Sequence, residues 1–351
     1  MPEPARESIR LAHTRTRLTL RDPLVISKGA EQHADVVHVA VRWGGAVGCG
    51  EAAPQDEDGQ TPESVARYLD AAAPLLGDDP FALEAILARA GASDRAGRAA
   101  LDAALHDLVG TLIGQPMWRL LGLTPGGPPT TYTISLAEPQ AMADGARAAL
   151  TRFAGLRALK LKLGAGRDLD VARVRAIRSA VGPGVALVVD ANEAWTLPEA
   201  LAVLPALADA GVALVEQPLP RDSPEAPALK ARSPVPVYAD EACHTLADVG
   251  ALADRVHGIN IKMSKCGGPR EALRMIHTAR ALGLGVMLGC QVESGLGLAP
   301  AVALSGLADV VDLDANLMLE RDPAPGLTLR DGVQTASARP GLGVALEAVP
   351  G

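Results

Sequence analysis

The sequence predicts an α/β fold in which a barrel of eight parallel strands follows a smaller α+β segment. Three observations predict it. From residue 131 onward, short β-rich runs alternate with helical stretches of about 12 to 17 residues, the rhythm of βα units. Eight such runs occur, the number that closes a barrel. The residues before Gly122 follow a different pattern, and the two parts are separated by Gly-Leu-Thr-Pro-Gly-Gly-Pro-Pro at 122–129, which holds little that could pack. At 351 residues there is room for one barrel of about 250 residues and one small unit.

In order along the chain, residues 8–20 alternate, with Ile9, Leu11, Leu18 and Leu20 set among arginines and threonines. Asp35 to Trp43 alternates again, and Gly44-Gly45 turns it into residues 46–50, giving a small antiparallel sheet. Helical patterns follow at 62–76, 80–90 and 94–113, the last with Ala100, Leu101, Ala104, Leu105 and Leu108 on one face. The expected barrel strands are Thr131–Ser135, Ala158–Leu163, Ala186–Asp190, Val212–Glu216, Val235–Asp240, Gly258–Lys262, Gly285–Cys290 and Asp309–Asp314. A doubly wound dinucleotide-binding sheet is the competitor, but no Gly-x-Gly-x-x-Gly opens the first unit and eight units are many for it. The expected division is 1–125 and 126–324.

Composition excludes several classes. Hydrophobic residues at 48% and charged residues at 21% are those of a globular chain, so disorder is set aside. Only two Phe, three Trp and three Tyr are present, and the net charge is −8, which argues against a nucleic-acid partner and against an anionic membrane surface. Cys49, Cys243, Cys266 and Cys290 form no Cys-x-x-Cys pair, so neither a zinc site nor a disulfide framework is indicated. With no signal-like or membrane-spanning stretch, the expectation is a soluble protein of the reducing cytoplasm, with homo-oligomerisation left open.

Polar residues fall at the C-terminal ends of successive expected strands: Lys160 and Lys162, then Asp190, Glu216, Asp240, Lys262, and last Asp312 and Asp314. From 162 to 190, 216, 240 and 262 the steps are 28, 26, 24 and 22 residues, one βα unit each, so these side chains converge on one mouth. A solvated loop charge would explain any one of them; it is a poor explanation for six in consecutive units. Three carboxylates there repel one another unless a hard cation joins them, and an all-oxygen set without Cys or His suits Mg²⁺ rather than Zn²⁺. Asn192 is placed to add a hydrogen bond. Lys162 and Lys262 flank the acids, facing each other across the ring, and a nearby cation is expected to lower the lysine pKa towards the range of a general base. Two amines on opposite faces of one carbon suit epimerisation.

These residues resemble the muconate-lactonizing subgroup of the enolase superfamily. The resemblance runs through Lys160-Leu161-Lys162, Asp190-Ala191-Asn192, Glu216-Gln217-Pro218, Asp240-Glu241 and Asn260-Ile261-Lys262-Met263-Ser264-Lys265-Cys266-Gly267-Gly268, in order, and covers nearly the whole chain. It implies a (β/α)7β barrel under an N-terminal capping domain that residues from about 325 to 351 complete. It further implies Lys162 and Lys262 as the acid/base pair, Lys160 as support for Lys162, and Asp190, Glu216 and Asp240 as Mg²⁺ ligands. Proton abstraction next to a carboxylate, with the metal stabilising the enediolate, is the known pattern of such sites. Lys265, three residues beyond Lys262, is expected to open the next loop. His257 precedes its strand, on the wrong rim for a base.

Asp312-Leu313-Asp314 on the eighth strand looks like the signature of the dipeptide epimerases, in which the pair binds the substrate's α-ammonium. Residues i and i+2 share a face of a strand, so both acids are expected in the mouth, away from the metal ligands. Pro23-Leu24-Val25-Ile26-Ser27-Lys28-Gly29 is similar to the capping loop of Ala-Glu epimerases, with Lys28 where an arginine grips the substrate's side-chain carboxylate; lysine keeps the charge without the planar fork. Thr133 and Cys290 close their strands where substrate would pass. The implied activity is a Mg²⁺-dependent dipeptide epimerase inverting the Cα of the C-terminal residue, with L-Ala-D/L-Glu the favoured substrate. Its rivals are o-succinylbenzoate synthesis or N-acylamino acid racemisation on the same site, a Schiff-base aldolase on Lys162 or Lys262, and a barrel that binds without catalysing.

Overall fold

The computed structural model describes residues 7–351. The chain begins with a three-stranded antiparallel sheet of β1 (Arg10–Ile26), β2 (Gly29–Trp43) and β3 (Ala46–Ala52). β1 outruns its sequence pattern. Its register against β2 slips between Thr19 and Leu24, around Pro23, which has no N–H to give a regular ladder, and pairing resumes to a tight turn at Ser27-Lys28. That turn carries Lys28 out over the barrel mouth.

Helix α1 (Pro62–Ala72) starts at Thr61 with a capping box to Ser64 and proline in its first turn; α2 (Leu83–Ala90) follows. In α3 (Arg95–Ile113), Asp94 caps the N-terminus by accepting from Gly97 N, and Gly114 ends it in the left-handed region at φ 70°. The face of α3 bearing Ala100, Leu101, Ala104, Leu105 and Leu108 packs on Val37, Val39 and Val41 of β2. Gly48 and Gly50 permit that approach, because a Cβ on either would collide with the backbone of Ala104 or Ala100.

Eight parallel strands follow: β4 (Thr131–Ile134), β5 (Ala158–Lys162), β6 (Ala186–Asp190), β7 (Val212–Glu216), β8 (Val237–Ala239), β9 (Gly258–Lys262), β10 (Gly285–Gly289) and β11 (Val310–Asp312). They pair in sequence order. A parallel bridge between Thr130 and Val311, with Leu313 N donating to Thr130 Oγ1 at 2.9 Å, brings the last strand to the first. β8 and β11 are shorter than their sequence runs. Outward-facing Leu159, Leu161, Leu187, Val189, Ile259 and Ile261 join the helices in the main core, whereas Val188, Leu214, Tyr238 and Met287 pack together within the ring. The Tyr238 ring lies against Gly258 and Gly285, the first residues of β9 and β10, where a Cβ would strike it. The N-terminal end is therefore plugged and the C-terminal end is the open one.

The final segment adds a hairpin of β12 (Thr328–Arg330) and β13 (Val333–Thr335) and then returns to the N-terminal unit: Leu342 N donates to Asp107 Oδ1 at 2.6 Å, and Arg42 donates to Pro350 O. His257 sits at the plugged end, where its Nδ1 accepts from Val237 N at 3.0 Å. All four cysteines are unpaired. Among the described residues no helix is long and apolar enough to cross a membrane.

Candidate active site

Strand periodicity puts Lys160 and Lys162 inward on β5, with Leu159 and Leu161 turned out into the core. Both ammonium groups meet Asp190 Oδ2 at the end of β6, Lys160 at 3.2 Å and Lys162 at 2.7 Å, so the two lysines are joined through one carboxylate oxygen. Lys160 Nζ also lies 2.8 Å from Glu216 Oε2 at the end of β7 and 2.8 Å from Asp312 Oδ2 at the end of β11. Four strands round from β5, Lys262 Nζ donates to Asp240 Oδ2 at 2.9 Å. In an eight-membered ring β5 and β9 are diametrically opposed, and Asp190, Glu216 and Asp240 come from the three strands between them.

The backbone fixes these strand ends. Asn192 (φ 45°), Glu193 (φ 68°) and Gln217 (φ 35°) follow two of the acids in the left-handed region, a conformation costing about 1–3 kcal/mol for a non-glycine residue. Asn192 N donates to Asp190 Oδ1 at 2.9 Å, Glu193 N to Gln217 O at 2.8 Å, and Gln217 Oε1 accepts from Asp240 N at 2.9 Å. Asn192 Nδ2 reaches Asp190 Oδ2 at 3.3 Å, the hydrogen bond expected of it, and Asn260 Nδ2 donates to Glu216 Oε1 at 2.8 Å.

The electrostatics are those of an acid cluster held by amines. Burial pushes the Glu216 carboxyl up to about 8 against the pull of Lys160, with Asp190 and Asp240 raising it further. Asp190 is held at about 2: burial opposes its charge, but Lys162 and Lys160 outweigh burial. Burial likewise opposes the Lys262 ammonium, yet Asp240 keeps it well above the ordinary lysine value. Among the described residues no three Asp, Glu, His or Cys side chains are gathered at coordinating distance; Lys160 stands between the acids. The donor set nonetheless fits a divalent cation. Glu216 Oε2 is buried with no hydrogen bond aligned on it, and of the three oxygen donors it is the one that burial and the neighbouring Asp190 and Asp240 leave short of positive charge.

Other expectations need correction. Lys265 does not open a loop: the chain turns directly from β9 into a short helix, Met263–Cys266, and buried Lys265 donates to Asp240 Oδ1 at 2.6 Å. Asp312 is not remote from Asp190, Glu216 and Asp240, since Lys160 ties it to the first two. β11 ends at Asp312, so Asp314 lies beyond the strand at the start of another short helix, where its Oδ2 accepts from Thr133 N at 2.6 Å. Both acids still line the mouth. Burial, and then Asp312, pushes the Asp314 carboxyl up to about 7. Cys290 Sγ lies 4.0 Å from Asp314 Oδ1, and burial holds its thiol protonated.

The mouth opens into a cavity of about 650 Å³, lined by Lys160, Lys162, Lys262, Thr133, Cys290 and Lys28 among others. The Lys28 ammonium does not stand free in it. It donates to Glu193 Oε2 at 2.7 Å and Glu57 Oε2 at 3.2 Å and lies 3.5 Å from Glu241 Oε1. Arg221 shares the same partner, its backbone N and Nε meeting Glu193 Oε1 at 2.8 and 2.9 Å and Nη2 meeting Oε2 at 2.8 Å. Sequence reasoning assigned nothing to Glu193, Arg221 or Asn260, and gave Lys265 no role in the site. Lys265 and Asn260 lay inside a quoted motif; Glu193 and Arg221 carried no local signal.

Comparison with known proteins agrees with this fold. The family model for the mandelate racemase / muconate lactonizing enzyme N-terminal domain matches residues 8–122, and the enolase C-terminal domain-like model matches 141–348. The chain belongs to the enolase superfamily. Within that superfamily it is 38% identical over 334 residues to the L-Ala-D/L-Glu epimerase of Bacteroides thetaiotaomicron, covering 93% of this chain and 85% of that one. It is 34% identical to the hydrophobic dipeptide epimerase of Roseobacter litoralis, covering 93% and 96%. The solved dipeptide epimerase from Enterococcus faecalis, complexed with Mg and the dipeptide L-Leu-L-Tyr, superimposes with a TM-score of 0.91 at 32% identity, covering 97% of this chain and all of that one.

Proposed function

We propose that this enolase-superfamily chain is a Mg²⁺-dependent dipeptide epimerase that inverts the Cα of the C-terminal residue. The observation carrying the reading is the placement of Lys162 and Lys262 on opposed strands, with three buried carboxylates on the strands between. A divalent ion on Asp190, Glu216 and Asp240 would stabilise the charge that builds on the substrate carboxylate as the α-proton leaves, and would draw those acids from the lysines. One amine takes the proton from one face of Cα, leaving the electron pair delocalised into the carboxylate. The opposite ammonium returns a proton to the other face. Lys160 supports Lys162 through the Asp190 carboxylate they share and also holds Glu216, and Lys265 holds Asp240. Asp312 and Asp314 receive the dipeptide's α-ammonium, which supplies the cation that the protonation-prone Asp314 lacks. Substrates without a free amine, as in succinylbenzoate synthesis or N-acylamino acid racemisation, would leave Asp314 unmatched, since Lys160 already pairs with Asp312. We retain the division at 1–125 and 126–324, with 325–351 completing the cap, as part of this reading.

The test is Cα deuterium uptake from D2O across a dipeptide library with Mg²⁺ present. Uptake into the C-terminal residue with conversion between epimers is expected, and EDTA should stop it. Borohydride trapping of Lys162 or Lys262 with a carbonyl substrate, together with indifference to EDTA, would overturn the proposal in favour of an aldolase.

A further inference from the structure

We infer that Glu193 is a specificity-determining residue: by neutralising Lys28 and Arg221, it makes the site reject dipeptides whose C-terminal side chain is anionic in favour of uncharged or cationic ones. The inference rests on the epimerase reading and narrows its substrate class, setting aside Ala-Glu. Lys28 and Arg221 are the cations of the cavity wall nearest the Glu193 loop, and both are spent. Lys28 has three glutamates within 3.5 Å, and Arg221 grips Glu193 with two guanidinium nitrogens and approaches Glu57 at 3.6 Å.

Glu57, Glu193 and Glu241 thus outnumber the two cations they surround. An incoming side-chain carboxylate meets like charge on this wall, while an amide or ammonium does not. Glu241 Oε2 adds a second observation. It is buried, its side chain is 10% exposed, and no hydrogen bond reaches it, so this wall lacks a donor and not an acceptor. Glu193 is the hub because it hydrogen-bonds both cations, whereas Glu57 only approaches Arg221, at 3.6 Å, and its backbone, fixed at φ 68° and tied to Gln217 O, holds the carboxylate against the Ser27-Lys28 turn. Rejection of the wrong charge by a fixed repulsive element is how sites discriminate between near-isosteric ligands.

The experiment compares L-Ala-L-Glu with its neutral isostere L-Ala-L-Gln, using the Mg²⁺-loaded full-length enzyme. Wild type is expected to favour Gln in kcat/KM by about tenfold or more, and Glu193→Gln to raise the Glu:Gln ratio by about tenfold. Glu193→Asp, which keeps the charge, should hold the ratio near wild type, and adding Lys28→Met to Glu193→Gln should cancel the gain. Glu57→Gln, at a more exposed partner, should shift the ratio the same way by a smaller factor, which keeps the test decisive if Glu193→Gln folds poorly. A wild-type preference for Glu, or a ratio that neither Glu193→Gln nor Glu57→Gln moves, overturns the inference alone. Failure of every library dipeptide to exchange its Cα proton overturns the epimerase reading together with it.

Discussion

The floor and the rim of this cavity are built in different ways. On the floor, Lys160, Lys162, Asp190, Glu216, Asp240 and Lys262 project from consecutive strand ends whose positions are set by the hydrogen-bonded ring, and each side chain is buried. On the rim, Lys28 comes from the turn between β1 and β2, Glu57 from a 3₁₀ turn between β3 and α1, and Glu193 and Arg221 from loops after β6 and β7. They meet only because the two units are packed together. The contrast teaches that reaction chemistry can reside in the framework while selectivity resides in a charge balance assembled across it.

The sharpest way to break the contrast is on the floor. Lys162→Ala and Lys262→Ala should each lower kcat by about 10²–10⁴-fold, and each should abolish Cα exchange from one epimer only, read by NMR in D2O with separated epimers. Equal loss from both epimers would deny the opposed placement a role. Asp314→Asn should lower kcat/KM for free dipeptides by about 10²-fold, while N-acetylated analogues, lacking the ammonium, change little. Mg²⁺ should raise the melting temperature of wild type, since a ligand bound only by the folded state stabilises it, and Glu216→Gln should remove most of that shift.

The smallest effect belongs to the rim. The Glu193 carboxyl is depressed from 4.5 to about 2: burial works against its charge, but hydrogen bonds from Arg221 and Lys28 prevail. A carboxyl depressed on folding contributes stability above its unfolded pKa and loses it as pH falls through its folded one. The stability advantage of wild type over Glu193→Gln should therefore shrink between pH 4.5 and about 2, measured as a difference in denaturant midpoint. A constant difference would show that packing and not charge holds Glu193.

This same division explains what could be read from the sequence. One strand end per βα unit is a local regularity, so Asp190, Glu216, Asp240 and Lys262 could be aligned by counting. Lys265 and Asp314 were misplaced because a strand-like run passes straight into a single helical turn, which periodicity over so few residues does not reveal. The hydrogen bond from Lys28 to Glu193 spans 165 positions, and no pattern in either segment announces the other. Even the turn that presents Lys28 depends on a register slip at Pro23 that alternation alone does not predict.

Tyr238 has a consequence for traffic. Because its ring, seated on Gly258 and Gly285, stoppers the far end of the ring of strands, arriving and departing molecules share a single doorway. Both epimers must pass the same sentries on the way in and on the way out, so whatever charge filter stands there screens the forward and the reverse reaction alike.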